Sequence, residues 1–194
     1  MKTVFFDVDT QLDFVYPSGS LYVPRAERIV PVIAHLNRTA AERGIPVIST
    51  VDAHAEDDPE FRQWPHHCVA GTLGQRKPES TLFDRRVVVP NREHHLSLDG
   101  ARQIILEKQT LNAFDAPNLA RVLYHLAADR YVVYGVVTEI CVHHAVRGLL
   151  KLAKPVAIVT DAIAGLQAQQ TRESLSEMQA SGVQLLTSAA LCDA

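Results

Sequence analysis

Three cysteines in 194 residues, at positions 68, 141 and 192, are too few and too widely spaced for a disulfide framework. They fit a reducing compartment, and a cytoplasmic location is expected. Charge of one sign is also missing. A formal net charge of −3 leaves no basic stripe for nucleic acid and no polybasic face for a membrane surface. No apolar run approaches the ~20 residues of a membrane span. The first apolar run carries Asp7 and Asp9, which is not the pattern of a secretory leader. Internal repeats and low-complexity segments are absent. An apolar fraction of 47% with 21% charged residues is ordinary for a globular chain, and the length suits one domain, 1–194, with a sizeable core. These limits give no sign of a nucleic-acid or membrane partner, and neither is expected.

What is present is an alternation of short β-branched runs with helical patterns. Val4–Val8, Pro46–Thr50, Ile104–Leu106, Tyr131–Val136, Val156–Thr160 and Val183–Leu186 read as six strands. Helices are expected over Arg25–Arg43, Ala116–Ala128, Glu139–Leu152 and Ala168–Ser181, the first with Ile29, Val32, Ile33, Leu36 and Ala40 at helical spacing and Gly44 as its stop. Residues 51–100 hold most of the turn formers and most of the histidines, so they read as functional loops with little regular structure. Such an order predicts a single-domain, three-layer α/β/α fold of Rossmann-like topology around a six-stranded, mainly parallel sheet.

In sheets of this kind ligands bind at the carboxyl ends of the strands. Those ends hold Asp7, Asp9 and Asp13; Asp52 and His54; Lys108; Thr138 and Cys141; and Thr160 with Asp161. Cys141 follows the strongest buried strand and opens a helical pattern. A thiol at a helix N-terminus gains from the dipole, which favours thiolate, and from free backbone N–H groups that can hold an oxyanion. A core cysteine is the plain alternative. A nucleophile, a carboxylate and a lysine can thus converge on one crevice, and that convergence says more than any of the three alone.

Four segments give this chain a family resemblance: Val8-Asp9-Thr10-Gln11-Leu12-Asp13-Phe14, Asp52-Ala53-His54 with Trp64-Pro65-His66-His67-Cys68, Glu107-Lys108, and Gly135-Val136-Val137-Thr138-Glu139-Ile140-Cys141-Val142. In order and spacing they resemble the isochorismatase-like cysteine hydrolases, on the nicotinamidase branch, over essentially the whole length. The resemblance implies a catalytic triad of Asp9, Lys108 and Cys141 and a cis peptide at Val137–Thr138 that turns backbone N–H groups toward an oxyanion. Cys141 would attack a carbonyl and form a thioester, with Asp9 moving the proton and Lys108 holding both in their ionised forms. Asp7, two residues before Asp9 on the same strand face by period 2, is assigned no role.

Asp52 and His54 lie two apart on an extended segment and point the same way, and histidine with carboxylate suits Zn, Mn or Fe. The resemblance implies a divalent metal, zinc first, held by Asp52, His54, Glu60 and His67, with Asp57, Asp58 and His66 as rivals for the third position. In nicotinamidases this ion anchors the pyridine nitrogen of the substrate. Phe14 and Trp64 are read as apolar walls of the pocket or else as core packing. Leu111 and Ile140 stand where relatives often offer an aromatic and a polar residue, so the pocket is expected to be wider and more apolar. Cys68 and Cys192 are given no chemistry. The pairs His94-His95 and His143-His144 read as surface or interface residues, since neighbours point apart on either kind of element.

The activity implied is cleavage of a small amide, nicotinamide to nicotinate plus ammonia in the first instance. Another small amide, a carbamoyl compound or a vinyl ether is the alternative within the family. A different chemistry competes for Phe6-Asp7-Val8-Asp9-Thr10, which resembles the opening Asp-x-Asp of phosphatases with an aspartate nucleophile; it leaves Cys141 unexplained. A homo-oligomer is expected, with the helical face Ala145–Leu150 and loop 70–100 as places where subunits could meet.

Overall fold

The computed structural model describes residues 1–93, 95–98 and 100–192. The strands are β1 (Thr3–Val8), β2 (Val47–Asp52), β3 (Arg86–Val89), β4 (Gln103–Lys108), β5 (Arg130–Val136), β6 (Val156–Ala164) and β7 (Gln184–Leu186). The helices are α1 (Leu12–Val15), α2 (Val30–Glu42), α3 (Leu119–Leu126), α4 (His143–Leu150), α5 (Ala168–Ala180) and α6 (Ala189–Cys192). Every strand pair is parallel, in the order β3-β4-β2-β1-β5-β6-β7. Among the described residues the sheet therefore has seven strands, not the expected six. The additional one is β3, an edge strand that pairs with β4 alone. Its apolar part is only Val87-Val88-Val89, between two arginines and Pro90, and so gives little periodic signal.

Strand alternation sorts the core into two layers. Val4, Phe6 and Val8 of β1 pack with Ile48, Ile104 and Leu106 under α3 and α4, with Met178 of α5 joining them. Phe5, Val47, Val132 and Tyr134 pack on the other face, under Ile33, Leu36 and Ala40 of α2. α3 shows why such segments become helices here: Leu119, Val122, Leu123 and Leu126 form one buried stripe at helical spacing. Each such side chain contributes roughly 1.5–3 kcal/mol on burial. The face of α4 that the sequence offered to a partner subunit is spent inside the domain, since Ala145, Val146 and Leu149 are buried in this core. No helix among the described residues is long and apolar enough to cross a membrane.

β1 sits mid-sheet, with chain crossovers leaving to either side, which makes its carboxyl end the switch point of the topology. Gly135 lets β5 close on it there. Its φ is +117°, and a Cβ at that position would lie 2.1 Å from the Val8 carbonyl oxygen.

Candidate active site and metal loop

The candidate base stands one residue beyond β1. Asp9 has φ +49°, in the left-handed region that Asp tolerates better than most side chains. This turn moves its carboxylate off the face that strand period would give it. Asp7 stays on the α2 side, while Asp9 meets residues of the α3–α4 side. Thr50 of β2 holds the turn: it accepts from Asp9 N–H at its carbonyl (3.1 Å) and hydroxyl oxygen (3.2 Å). The same hydroxyl donates to Asp9 Oδ1 at 2.6 Å.

Lys108 ends β4 and is only 1% exposed. Its Nζ lies 2.9 Å from Asp9 Oδ2 and 2.5 Å from Asp52 Oδ1, and it donates to the Thr110 carbonyl at 3.0 Å. Asp52 and the Thr110 carbonyl accept hydrogen bonds from the ammonium, while Asp9 Oδ2 faces it as an ion pair and has no hydrogen-bond partner among the described residues. Burial works against the charge, but Asp52 and Asp9 overcome it and hold the Lys108 pKa well above its ordinary value. Burial pushes Asp52 up to about 7, against the pull of Lys108 and with the push of Asp9.

Cys141 lies in a π-helical turn, Thr138–Val142, that feeds α4. That turn runs without a break into α4, since Val142 is itself helical (φ −63°, ψ −45°), so Cys141 stands in the first turn of the helical run, where the dipole favours thiolate. Burial raises the Cys141 pKa well above its ordinary value; Lys108 opposes the rise, while Asp9, placed to accept the thiol hydrogen, adds to it. Burial and Asp9 thus favour the thiol form of Cys141, and Lys108 favours the thiolate. The cis peptide joins Val136 to Val137, one bond earlier than expected. β5 runs through Val136, and Val137 is already the extended residue that caps the turn. The Val137 carbonyl accepts from Ile140 and Val142 N–H, at 3.0 and 3.1 Å.

The metal loop is closed by backbone pairing. His54 N–H donates to Cys68 O (3.2 Å) and Ala70 N–H to His54 O (2.9 Å), which brings the His54 and His67 rings to 4.9 Å. Asp52, His54 and His67 present donor atoms all within 4.8 Å of one another. Glu60 joins them from a 3₁₀ turn, its Oε1 4.0 Å from His54 Nε2 and 3.8 Å from His67 Nε2. Two donors sharing one ion at ~2.1 Å would be roughly 3–4 Å apart, so the spacing fits.

The tautomers fit as well. His67 Nδ1 is 2.7 Å from the Pro65 carbonyl, which can only accept, so Nδ1 carries the hydrogen and Nε2 offers a lone pair. His54 Nδ1 is 3.0 Å from Asp58 Oδ2, and its Nε2 is buried with no hydrogen-bond partner. A histidine turned this way by a carboxylate is the usual outer support of a metal ligand. Asp58, a rival for ligation in the sequence, thus backs His54 from outside, whereas Asp57 and His66 are exposed. Charge argues the same way: Asp9 and Asp52 face the Lys108 ammonium, and Asp58 and Glu60 add two further carboxyl groups beside His54. Burial depresses the His67 pKa, which favours the neutral imidazole that ligation needs.

A narrow pocket is lined by residues of both groups. Asp9 and Cys141 line it, as do Asp52, Glu60 and His67. Phe14, Trp64, Leu111 and Ile140, the expected walls, are all there. Lys108 and His54 lie behind it, and Thr138 is fully buried beside it. Leu21, Val23 and Leu166 complete the wall and were missed, since isolated apolar residues in loops have no periodicity to announce them.

Two supporting residues were also missed. Gln11 pins Asp52 through both its backbone groups, donating to the carbonyl at 2.9 Å and accepting from N–H at 2.7 Å. Asp13 accepts from Cys68 N–H at 2.7 Å and Ser20 N–H at 3.0 Å, tying down the loop that holds His67. Asp7 is buried in an ion pair with Lys77 and does not line the pocket, which removes it as a phosphoryl nucleophile. Of the histidine pairs, His143 bonds Ser174 of α5 at 2.6 Å, His144 and His95 are exposed, and His94 lies outside the described residues.

A parallel α/β sheet with a buried thiol, carboxylate and lysine at its switch point, next to a histidine–carboxylate cluster, defines a class of hydrolases. The chain belongs to that class by descent: residues 3–190 match the Isochorismatase domain, and the chain is a member of the isochorismatase family, on its nicotinamidase branch. It is 26% identical over 208 residues to the nicotinamidase of Escherichia coli K12, covering 93% of this chain and 92% of that one. Among solved structures it is similar to the pyrazinamidase of Pyrococcus horikoshii in complex with zinc, at TM-score 0.79 and 26% identity over 96% of this chain and 99% of the other. The N-carbamoylsarcosine amidase of Thermoplasma acidophilum also matches, at TM-score 0.78 and 26% identity over 97% of each chain.

Proposed function

We propose that this isochorismatase-family hydrolase is a cysteine amidase that converts nicotinamide, or a closely similar small amide, to the acid and ammonia. The observation that supports this best is the pocket itself, which Cys141 and Asp9 line together with Asp52, Glu60 and His67. Asp9 takes the thiol proton as Cys141 Sγ attacks the amide carbon, and the charge that develops on oxygen is met by backbone N–H groups of the turn at Thr138 and Cys141. Asp9 then returns the proton to the leaving nitrogen, ammonia departs, and a thioester remains on Cys141. Asp9 next takes a proton from water, which attacks the thioester and frees the acid, and Cys141 recovers its hydrogen. Lys108, 2.9 Å from Asp9 Oδ2, orients that carboxyl group without touching the substrate.

Asp52, His54, Glu60 and His67 would hold a divalent ion, zinc in this reading, with manganese or iron compatible with the same donors. Such an ion supplies Lewis acidity to a lone pair of the substrate. A carbamoyl compound is the second reading, favoured by the match to the N-carbamoylsarcosine amidase. Ammonia release should be measured on a panel of amides and carbamoyl compounds, using native protein, Cys141→Ala and chelator-treated protein. Release from nicotinamide that disappears in Cys141→Ala is the expected result. Turnover of another amide alone would overturn the substrate, and turnover surviving in Cys141→Ala would overturn the mechanism. Metal analysis that finds no divalent ion would overturn the metal, and a monomer by light scattering would overturn the homo-oligomer.

A further inference from the structure

On the α2 side of the sheet lies a buried ion pair with no part in the chemistry above. Lys77 Nζ is 3.0 Å from Asp7 Oδ2, and neither side chain is more than 2% exposed. The pair grips the residue after Asp9 twice. Thr10 Oγ1 donates to Asp7 Oδ1 at 2.5 Å, and Lys77 Nζ donates to the Thr10 carbonyl at 3.2 Å. Ser49 Oγ holds Asp7 from β2 at 3.2 Å.

The rest of the segment that brings Lys77 lies along the same stretch. Leu12 N–H donates to Arg76 O (2.8 Å), Asp13 N–H to Gly74 O (3.1 Å), and Gln11 Nε2 to Gln75 O (2.8 Å). Asp9 must leave β1 through a left-handed backbone to aim its carboxylate at the opposite face from Asp7. A side chain held in that region persists only where its surroundings fix it. Breaking a buried pair strands a charge, so the clamp resists displacement.

We propose that Asp7 and Lys77 are a positioning pair for Asp9, fixing through Thr10 the turn that aims this carboxylate at Cys141. The inference rests on Asp9 being the base of Cys141. The test is the rate at which iodoacetamide alkylates Cys141 at one fixed pH, followed by peptide mass mapping of the metal-loaded protein, with Asp9→Asn as reference. The double variant Asp7→Asn/Lys77→Met removes both charges and strands neither. Thr10→Val cuts only the hydroxyl link and gives a second reading that does not depend on the double variant folding.

The expected result is that both variants move the alkylation rate in the direction of Asp9→Asn, the double variant all the way. In the double variant kcat falls on the order of 10²-fold at unchanged KM and metal content, as a base misplaced by about 1 Å would give. Lys77→Arg, which keeps the cation, retains the native alkylation rate. Variants that fold and alkylate at the native rate would overturn the proposal and leave the pair purely structural. If the native protein hydrolyses no amide, the functional reading fails, while the alkylation rates still decide the clamp.

Discussion

Thr50→Val isolates one link of the candidate site. The Thr50 hydroxyl donates to Asp9 Oδ1 at 2.6 Å and accepts from Asp9 N–H at 3.2 Å, deep beneath the pocket. Valine matches threonine in shape and suits a central strand, so backbone and packing are preserved. What is lost is a hydrogen bond to a charged acceptor, about 1.5–3 kcal/mol. For a chain of this length each kcal/mol moves the melting midpoint by about 2–4 °C, giving a fall of roughly 3–12 °C. The Asp9 backbone N–H keeps the Thr50 carbonyl at 3.1 Å, so the turn survives while its carboxylate loosens. Amide turnover should drop on the order of tenfold or more, since a general base contributes about 10²–10⁴-fold when well placed. Thr50→Ser restores both. Melting by circular dichroism and ammonia release, at matched metal content, check the two halves separately. A variant with native midpoint and native turnover would show that Asp9 is not oriented from β2, and the account of its turn would fail.

The outer support of the metal loop is tested by Asp58→Asn, which weakens the hold on His54 and should cost about 10–100-fold in zinc affinity, read by competition with a chromophoric chelator. Unchanged affinity would make the Asp58–His54 bond incidental. Burial holds the acids Cys68, Cys141 and Tyr134 neutral by raising each pKa. Their contribution is complete below the unfolded values, about 8.5 for Cys and 10 for Tyr, and is lost as pH climbs toward the folded ones. Urea midpoints should therefore fall between about pH 8 and 10.5, and a flat profile would contradict the burial. Gly135→Ala places a Cβ 2.1 Å from the Val8 carbonyl oxygen at φ +117°. It should abolish soluble, metal-loaded protein, and a native melting curve would show that β5 can move away from β1.

The sequence was most legible where local pattern and tertiary role coincide. β1, β5 and α3 are runs whose apolar spacing is also their burial, and Asp9, Lys108 and Cys141 stand at or just beyond ends of such runs. It was least legible where a contact joins segments far apart in the chain. Nothing local about Lys77 announces a buried partner at Asp7, and nothing about Gln11 announces the backbone of Asp52. The strand period itself misled for Asp7 and Asp9, because one residue with φ +49° reverses the face. Cys141 was legible as a thiol in the first turn of a helix, but spacing alone could not show that this turn is π-helical.

Leu111 and Ile140 take on a definite meaning once the lining is seen as a whole. The polar side chains of the lining are Asp9, Asp52, Glu60, His67 and Cys141, and the other lining residues are Phe14, Leu21, Val23, Trp64, Leu111, Val136, Val137, Ile140 and Leu166. A body bound there meets mostly hydrocarbon and aromatic surface, so its orientation must come from those few polar groups. Leu111 and Ile140 then set the width and dryness of the wall and leave the polar groups intact. On the proposed reading these positions govern which ring or chain fits between carbonyl and metal, while the bond broken is decided by Asp9, Lys108 and Cys141. Leu111→Tyr should accordingly shift KM among amides of different girth, with kcat for the smallest amide retained; a uniform loss of kcat across the panel would place Leu111 in the chemistry instead.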